Sequence, residues 1–147
     1  MNVRTFLFLT LALLPSAFPP RCLAQTQNAA LHHVREIHVG TMGQGDEPER
    51  FRLLLEKELR RVGFEVADKP EDADAILTGT HSAEVHGDKA FARATVVLKT
   101  RSGKQIWSGD YVSQHWGEGA NDTVKTTAEN CADALRKDWE KAGKSDR

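Results

Sequence analysis

The segment between residues 50 and 63 constrains the fold of this chain more than any other. Apolar side chains recur there at steps of three and four residues, and charged side chains fill most other positions. This period predicts an amphipathic helix. Its apolar members are Phe51, Leu54, Leu55, Leu59 and Val62. Gly63 favours a helix end there, because glycine adopts the left-handed conformation at little cost. Such a helix needs an apolar surface to cover its stripe.

β-Branched residues on both sides of this helix predict the strands that supply that surface. Val34–Gly40 is predicted to form a strand before the helix, and Ala75–Val85 a longer strand after it. Phe64–Ala67 is predicted to begin a short strand, and Lys69–Asp74 is acidic and typical of a turn. A strand–helix–strand unit places its strands parallel, with a right-handed connection.

The second half of the chain predicts two further strands and a second helix. Ala92 to Lys99 alternates apolar and mixed side chains, as in a half-buried antiparallel strand, and Gln105–Ser113 continues as another. A helix capped by Asn121 or Asp122 then runs to about residue 142. Its inner stripe comprises Val124, Ala128, Cys131, Leu135 and Trp139.

These elements predict an α+β fold with the order β-α-β-β-β-α. Each helix has one apolar stripe, and one face of a sheet can cover both stripes. We therefore expect a small mixed sheet with two helices packed on one face.

The stretch TRSGKQIWSG, residues 100–109, predicts a hairpin turn. A three-residue loop of Arg101, Ser102 and Gly103 would place Leu98 opposite Ile106, whereas a four-residue loop would place Leu98 opposite Trp107. The sequence leaves both registers open. A catalytic role is not favoured, because no histidine or carboxylate lies near in sequence to activate Ser102 or Lys104.

The first 24 residues have the layout of a secretory signal peptide. A positive start at Arg4 precedes the apolar run Phe6–Leu14, and prolines follow. Cleavage is predicted after Ala24. The run is shorter than the ~20 residues that span a bilayer, so we expect no transmembrane segment in the mature chain. Lipidation of Cys22 is not favoured, because proline and arginine precede it instead of small residues.

The remaining chain is predicted to form one domain. Residues 25–33 are expected to be a flexible lead-in, 34–142 a single α+β domain, and 143–147 a disordered tail. Removing Arg4 and Arg21 takes the formal net charge from −1 to −3, which gives no electrostatic case for nucleic-acid binding. Cys131 is then the only cysteine, so no internal disulfide is expected.

The quoted strand and turn segments also carry a family resemblance. EDADAILTGT and ATVVLKTRSGKQIWSGDY, with VREIHVGTMG and FRLLLEKELRRVGFEV, resemble a periplasmic α/β domain family. That family includes the curli secretion protein CsgG, the penicillin-binding-protein activator LpoB and the N-terminal domain of TolB. The resemblance implies an envelope activator or accessory role. Ser102 stands where threonine is usual, and no long insertion exists for a membrane barrel, which argues against a secretion pore.

The glycine-rich stretch GTMGQGDEP is one candidate site. It joins a predicted strand to a helix N-terminus, where backbone N–H groups can hold an anion. Gly43 and Gly45 suit a loop, and Asp46 is a candidate helix cap. A phosphate-binding loop would end in Gly-Lys-Ser/Thr, and two carboxylates stand there instead, so a mobile surface connector is the expectation.

Histidines form a second candidate site. His38, His81 and His86 could contribute to a metal-dependent hydrolase, but residues 81 and 86 should face opposite sides of a regular strand. A metal needs three or four converging ligands, so neither a metal nor another cofactor is expected.

An aromatic cluster is the third candidate, and it is the predicted binding surface. Trp107, Tyr111 and Trp116 lie close in sequence, and Arg93 would face Tyr111 in the three-residue-loop register. Such clusters are typical of protein interfaces, although ordinary packing beneath a helix is an equal alternative.

The sequence therefore predicts an exported, non-enzymatic accessory domain, periplasmic or secreted, that contacts a protein or envelope component. The histidine-dependent metal hydrolase is one alternative. A structural subunit of a homo-oligomer is the other, because a strand meander leaves an exposed edge.

Overall fold

The computed structural model describes residues 29–116 and 120–145. The predicted signal peptide, residues 25–28 of the predicted lead-in and the last two residues lie outside the described part. A short helical stretch, 29–32, comes first. The following elements are β1 (Glu36–Val39), α1 (Asp46–Arg61), β2 (Glu65–Val66), β3 (Ala75–His86), β4 (Lys89–Thr100), β5 (Gln105–Trp116) and α2 (Ala120–Ser145).

The five strands form one mixed sheet in the order β2-β1-β3-β4-β5. Strand β1 is parallel to both β2 and β3, and α1 connects it to them. Strands β3, β4 and β5 form an antiparallel meander of three twelve-residue strands. The predicted α+β class, the parallel crossover and the short strand after α1 are confirmed, and that short strand makes the observed order β-α-β-β-β-β-α, one strand more than the predicted order.

Both helices pack on the same face of this sheet, as predicted. On α1, Phe51, Leu55 and Leu59 are fully buried. The predicted stripe of α2 is also buried, from Val124 to Trp139. Burying a leucine or phenylalanine side chain stabilises the fold by about 2 kcal/mol. The two stripes and the sheet therefore form one core.

The ends of the packed domain extend beyond the predicted boundaries. Leu31 and Val34 are 3% exposed and belong to the core, so packing begins before residue 34. The indole Nε1 of Trp139 donates a hydrogen bond to the Val34 carbonyl at 2.9 Å. Helix α2 starts at Ala120, before the predicted caps, and continues to Ser145.

The β4–β5 hairpin contains both predicted registers, one on each side of a β-bulge. At the turn, the Thr100 N–H donates to the Lys104 carbonyl at 2.9 Å, and Gly103 has a φ of 85°. Leu98 then pairs with Trp107, so Ile106 is the extra residue. Ile106 and Trp107 are both buried, whereas consecutive residues of a regular strand with one covered face point to opposite sides.

Candidate binding surface

The sheet has one face covered by helices and one open face. Side chains alternate between the faces along each strand. On β5, Trp107, Tyr111 and Ser113 point towards the helices: Trp107 and Ser113 are buried, and Tyr111 is partly buried against the core. The neighbouring residues point to the open face. They are Ser108, Asp110, Val112, Gln114 and Trp116.

Trp107 and Tyr111, two of the four predicted binding residues, lie on the covered face. Trp107 is 8% exposed, and its indole Nε1 donates to Asp138 of α2 at 3.2 Å. Its ring stacks with Tyr111 at 6.4 Å between centroids. The Tyr111 ring lies over Gly109, and burial raises the pKa of its phenol. This pair therefore packs beneath α2.

Arg93 and Trp116, the other two, lie on the open face. The bulge shifts the register, so Arg93 pairs with Val112 and not with Tyr111 as the three-residue register implied. Trp116 is 64% exposed, and the Lys89 ammonium lies 3.9 Å from its ring centroid. The predicted set of four is thus divided between two faces of the sheet.

We define the open-face patch as Phe91, Arg93, Val112 and Trp116. Val112 is 61% exposed and directly opposite Arg93 on the neighbouring strand. Phe91 lies two residues from Arg93 on the same strand, so it shares this face. A depression of about 430 Å³ is lined by Phe91, Arg93 and Val112 of this patch and by Glu84 and His86.

The charges around this patch are mixed. His86 Nε2 lies 3.0 Å from a carboxylate oxygen of Glu84, and both side chains are exposed. Within the described residues the Arg93 guanidinium has no ion pair. The patch therefore combines exposed apolar area with an available cation, which is the composition of many protein-binding surfaces.

Sequence reasoning found Arg93 and Trp116 but missed Phe91 and Val112. Val112 and Trp116 are four residues apart on one strand, so their shared face could be read from the sequence. Placing Val112 beside Arg93 requires the shifted register beyond the bulge.

The glycine-rich loop is anchored in its first half. Met42 is 1% exposed, and its carbonyl accepts a hydrogen bond from the His81 N–H at 2.8 Å. Gly43 and Gly45 have φ angles of 121° and 105°, which favour glycine. Gly45 occupies the N-cap position without a side-chain cap, so the prediction of Asp46 as the cap is wrong, and Asp46 is the first helical residue. Three carboxylates in the first turn disfavour an anion there.

The three candidate histidines lie apart. His38 is on the open face, where its Nδ1 contacts the Ala67 carbonyl at 3.1 Å. His81 is on the covered face and 7% exposed, whereas His86 is exposed on the open face. Over residues 29–116 and 120–145, no group of three or more His, Cys, Asp or Glu side chains is arranged to hold a metal ion.

In the described part of the chain, neither helix is long and apolar enough to cross a membrane.

Cys131 is buried at 0% exposure, and burial raises the pKa of its thiol to about 12. A thiol in that state is a poor nucleophile, so Cys131 serves as a small core residue.

Comparisons with known proteins find similar solved structures but no matching family model or curated sequence. The crystal structure of an uncharacterized protein is similar, with 14% identity and a TM-score of 0.49 over 73% of this chain and 91% of that one. Lipoprotein GNA1162 from Neisseria meningitidis has 17% identity and a TM-score of 0.42, over 69% and 93%.

A DUF4136 family protein from Bacteroides thetaiotaomicron has 10% identity and a TM-score of 0.37, over 78% of this chain and 90% of that one. Identities and TM-scores this low leave the function to be argued from the chain's own residues. The resemblance to the CsgG, LpoB and TolB domains stays a prediction.

Proposed function

We propose that this chain is an exported, non-enzymatic accessory domain whose open-face patch binds a protein component of the cell envelope. The observation that carries the proposal is the exposure of Val112 beside Arg93 and of Trp116 four residues further along β5, on the sheet face that no described helix covers. Tryptophan and arginine dominate the binding energy of protein interfaces, because each combines large contact area with directional contacts.

The predicted leader supports export, and the resemblance of the strand and turn segments supports an envelope role. A role without catalysis is supported by the separation of the histidines on two sheet faces and by the burial of Cys131. The metal-dependent hydrolase would need these groups to converge, and their positions give it no support.

The proposal is tested by capture of partners from an envelope extract by the purified protein, with quantitative mass spectrometry as the readout. We expect one set of proteins to be captured by the wild type and lost with Trp116→Ser and with Arg93→Glu. Each change removes a side chain of a type that dominates binding energy at protein interfaces, so the amount of partner captured should fall at least about tenfold.

Leu53→Ser is the matched control. Leu53 is an exposed apolar residue of α1, 53% exposed, and it lies away from the open face. Its loss should leave capture unchanged. Equal capture by wild type, Trp116→Ser and Arg93→Glu would contradict the proposal.

A further inference from the structure

Strand β5 is an edge of the sheet, and its outward backbone groups can be identified. The Thr100 N–H of β4 donates to the Lys104 carbonyl, so the even-numbered residues of β4 direct their backbone hydrogen-bonding groups towards β5. These β4 residues pair with the odd-numbered residues of β5, from Trp107 to His115. The even-numbered residues Ser108, Asp110, Val112, Gln114 and Trp116 therefore direct N–H and C=O groups away from β4. No described strand pairs with them.

Apart from a bulge at one end, this edge lacks the features by which natural proteins protect such strands. It is twelve residues long, contains no proline or lysine, and has Asp110 as its one carboxylate. That carboxylate is turned towards β4, where it accepts a hydrogen bond from the Thr95 hydroxyl at 2.6 Å. The bulge lies at Ile106, at one end, and leaves residues 108–116 regular. A long, regular, nearly uncharged edge favours pairing with another strand.

We propose that β5 pairs antiparallel with β5 of a second copy of this chain, with Val112 on the two-fold axis. This register places Val112 opposite its own copy, Asp110 opposite Gln114, and Ser108 opposite Trp116. A register centred on Asp110 would place two carboxylates face to face, which is destabilising. A register centred on residue 111 would set the Asp110 carboxylate against the Val112 side chain.

A second copy fits this edge because the strand is complementary to itself in the Val112 register. The opposite edge of the sheet, β2, has only two residues. An assembly through β5 therefore closes as a dimer and does not extend into a fibre. Pairing uses backbone groups of β5, so it does not depend on the proposed partner binding. Phe91 and Arg93 lie on β4 and remain on the open face.

The first test is the mass of the protein in solution, measured by size-exclusion chromatography with light scattering. We expect twice the monomer mass for the wild type and the monomer mass for Val112→Pro. Proline removes an outward N–H that the ladder to β4 does not use, and edge strands tolerate proline in that orientation. Val112→Ala keeps the N–H and should remain a dimer. A monomeric wild type, or a dimeric Val112→Pro, would overturn the proposal.

The second test locates the axis by cross-linking. In a Cys22→Ser background, Val112→Cys should form a disulfide-linked dimer on mild oxidation. Directly opposite residues of a hydrogen-bonded antiparallel pair have Cα atoms about 5.5 Å apart, within disulfide range. Val85→Cys is the matched control, because Val85 is 60% exposed against 61% for Val112 and lies elsewhere. Equal cross-linking of both variants would contradict the assigned axis.

Arg93→Glu separates this proposal from the proposed function. It should reduce partner capture and leave the dimer mass unchanged, because Arg93 is not on β5. Loss of the dimer in this variant would contradict the edge assignment. Unaltered partner capture with an intact dimer would contradict only the proposed function.

Discussion

His81 is a buried titratable residue whose protonation would disturb the core. Its ring stacks on Phe51 with 4.4 Å between centroids and 7° between planes. Neither ring nitrogen has a hydrogen-bond partner in the described part of the chain. Burial lowers the pKa of His81 below its ordinary value, and the nearby Glu47 carboxylate opposes this shift. The folded protein therefore holds His81 neutral under conditions in which the unfolded chain already accepts a proton.

The folded protein should therefore lose stability in mild acid. Because the folded pKa lies below the unfolded value of 6.5, the contribution of His81 is complete above that value. It decreases as the pH falls from there towards the folded pKa, because the unfolded state binds the additional proton. Urea unfolding gives the free energy of unfolding of the wild type and of His81→Phe at about pH 8 and about pH 5.5. Between these two pH values the wild type should lose more stability than His81→Phe.

His86→Gln is the control for this experiment, since His86 is exposed and lies on the open face, where it pairs with Glu84 and its ring lies near Phe91. Its pH dependence should follow that of the wild type. If His81→Phe lost as much stability between the two pH values as the wild type, the neutral buried histidine would not be the cause.

At the scale of the element, the β3–β4 ladder depends on a glycine. A Cβ at Gly79 would lie 2.1 Å from the Thr95 carbonyl oxygen, which is backbone of the neighbouring strand. Gly79→Ala should therefore separate the two strands locally and cost about 2 kcal/mol or more in the free energy of unfolding. Urea denaturation measures the loss.

Gly109→Ala provides the comparison within the same sheet. A Cβ there would meet the Tyr111 ring, with its hydroxyl at 2.4 Å, and that ring can rotate away without moving a strand. Its cost should be smaller than that of Gly79→Ala. The reverse order would show that the Tyr111 ring is held more firmly than the strand backbone.

The elements themselves were predictable because their signals are local. The stripe around Phe51 and the alternation around Val96 each depend on neighbours within a few residues. The bulge at Ile106 is different, since it accompanies the burial of two consecutive residues, Ile106 and Trp107, in a core built from distant elements. Tertiary packing also decides which of the four predicted binding residues, divided between two faces of the sheet, lie beneath a helix. Residues 107 and 116 are an odd number apart, so their opposite orientations could be read from the sequence. Which of the two faces of β5 a helix covers is decided by tertiary packing, and the sequence does not show it.

At the scale of the whole molecule, Trp139 joins the two ends of the described chain. Its indole donates to the Val34 carbonyl, and its ring contacts His32 at 4.8 Å between centroids. The guanidinium groups of Arg35 and Arg136 lie 4.8 and 4.5 Å from the ring centroid. One side chain of α2 thus holds the segment that leads into β1, the strand at the centre of the parallel part of the sheet.

Trp139→Phe tests that link, because it removes the indole N–H and keeps an aromatic ring. It leaves the Val34 carbonyl without its partner and a smaller ring in the core, so unfolding should become easier by about 1–3 kcal/mol. Trp139→Ala removes the whole ring system, leaves a larger cavity and should cost about 3–5 kcal/mol. Trp116→Phe is the matched control, because that tryptophan is 64% exposed, and its effect should stay within about 0.5 kcal/mol. If Trp139→Phe were as stable as Trp116→Phe, the Val34 hydrogen bond would not hold the two ends together, and packing of the ring alone would account for the junction.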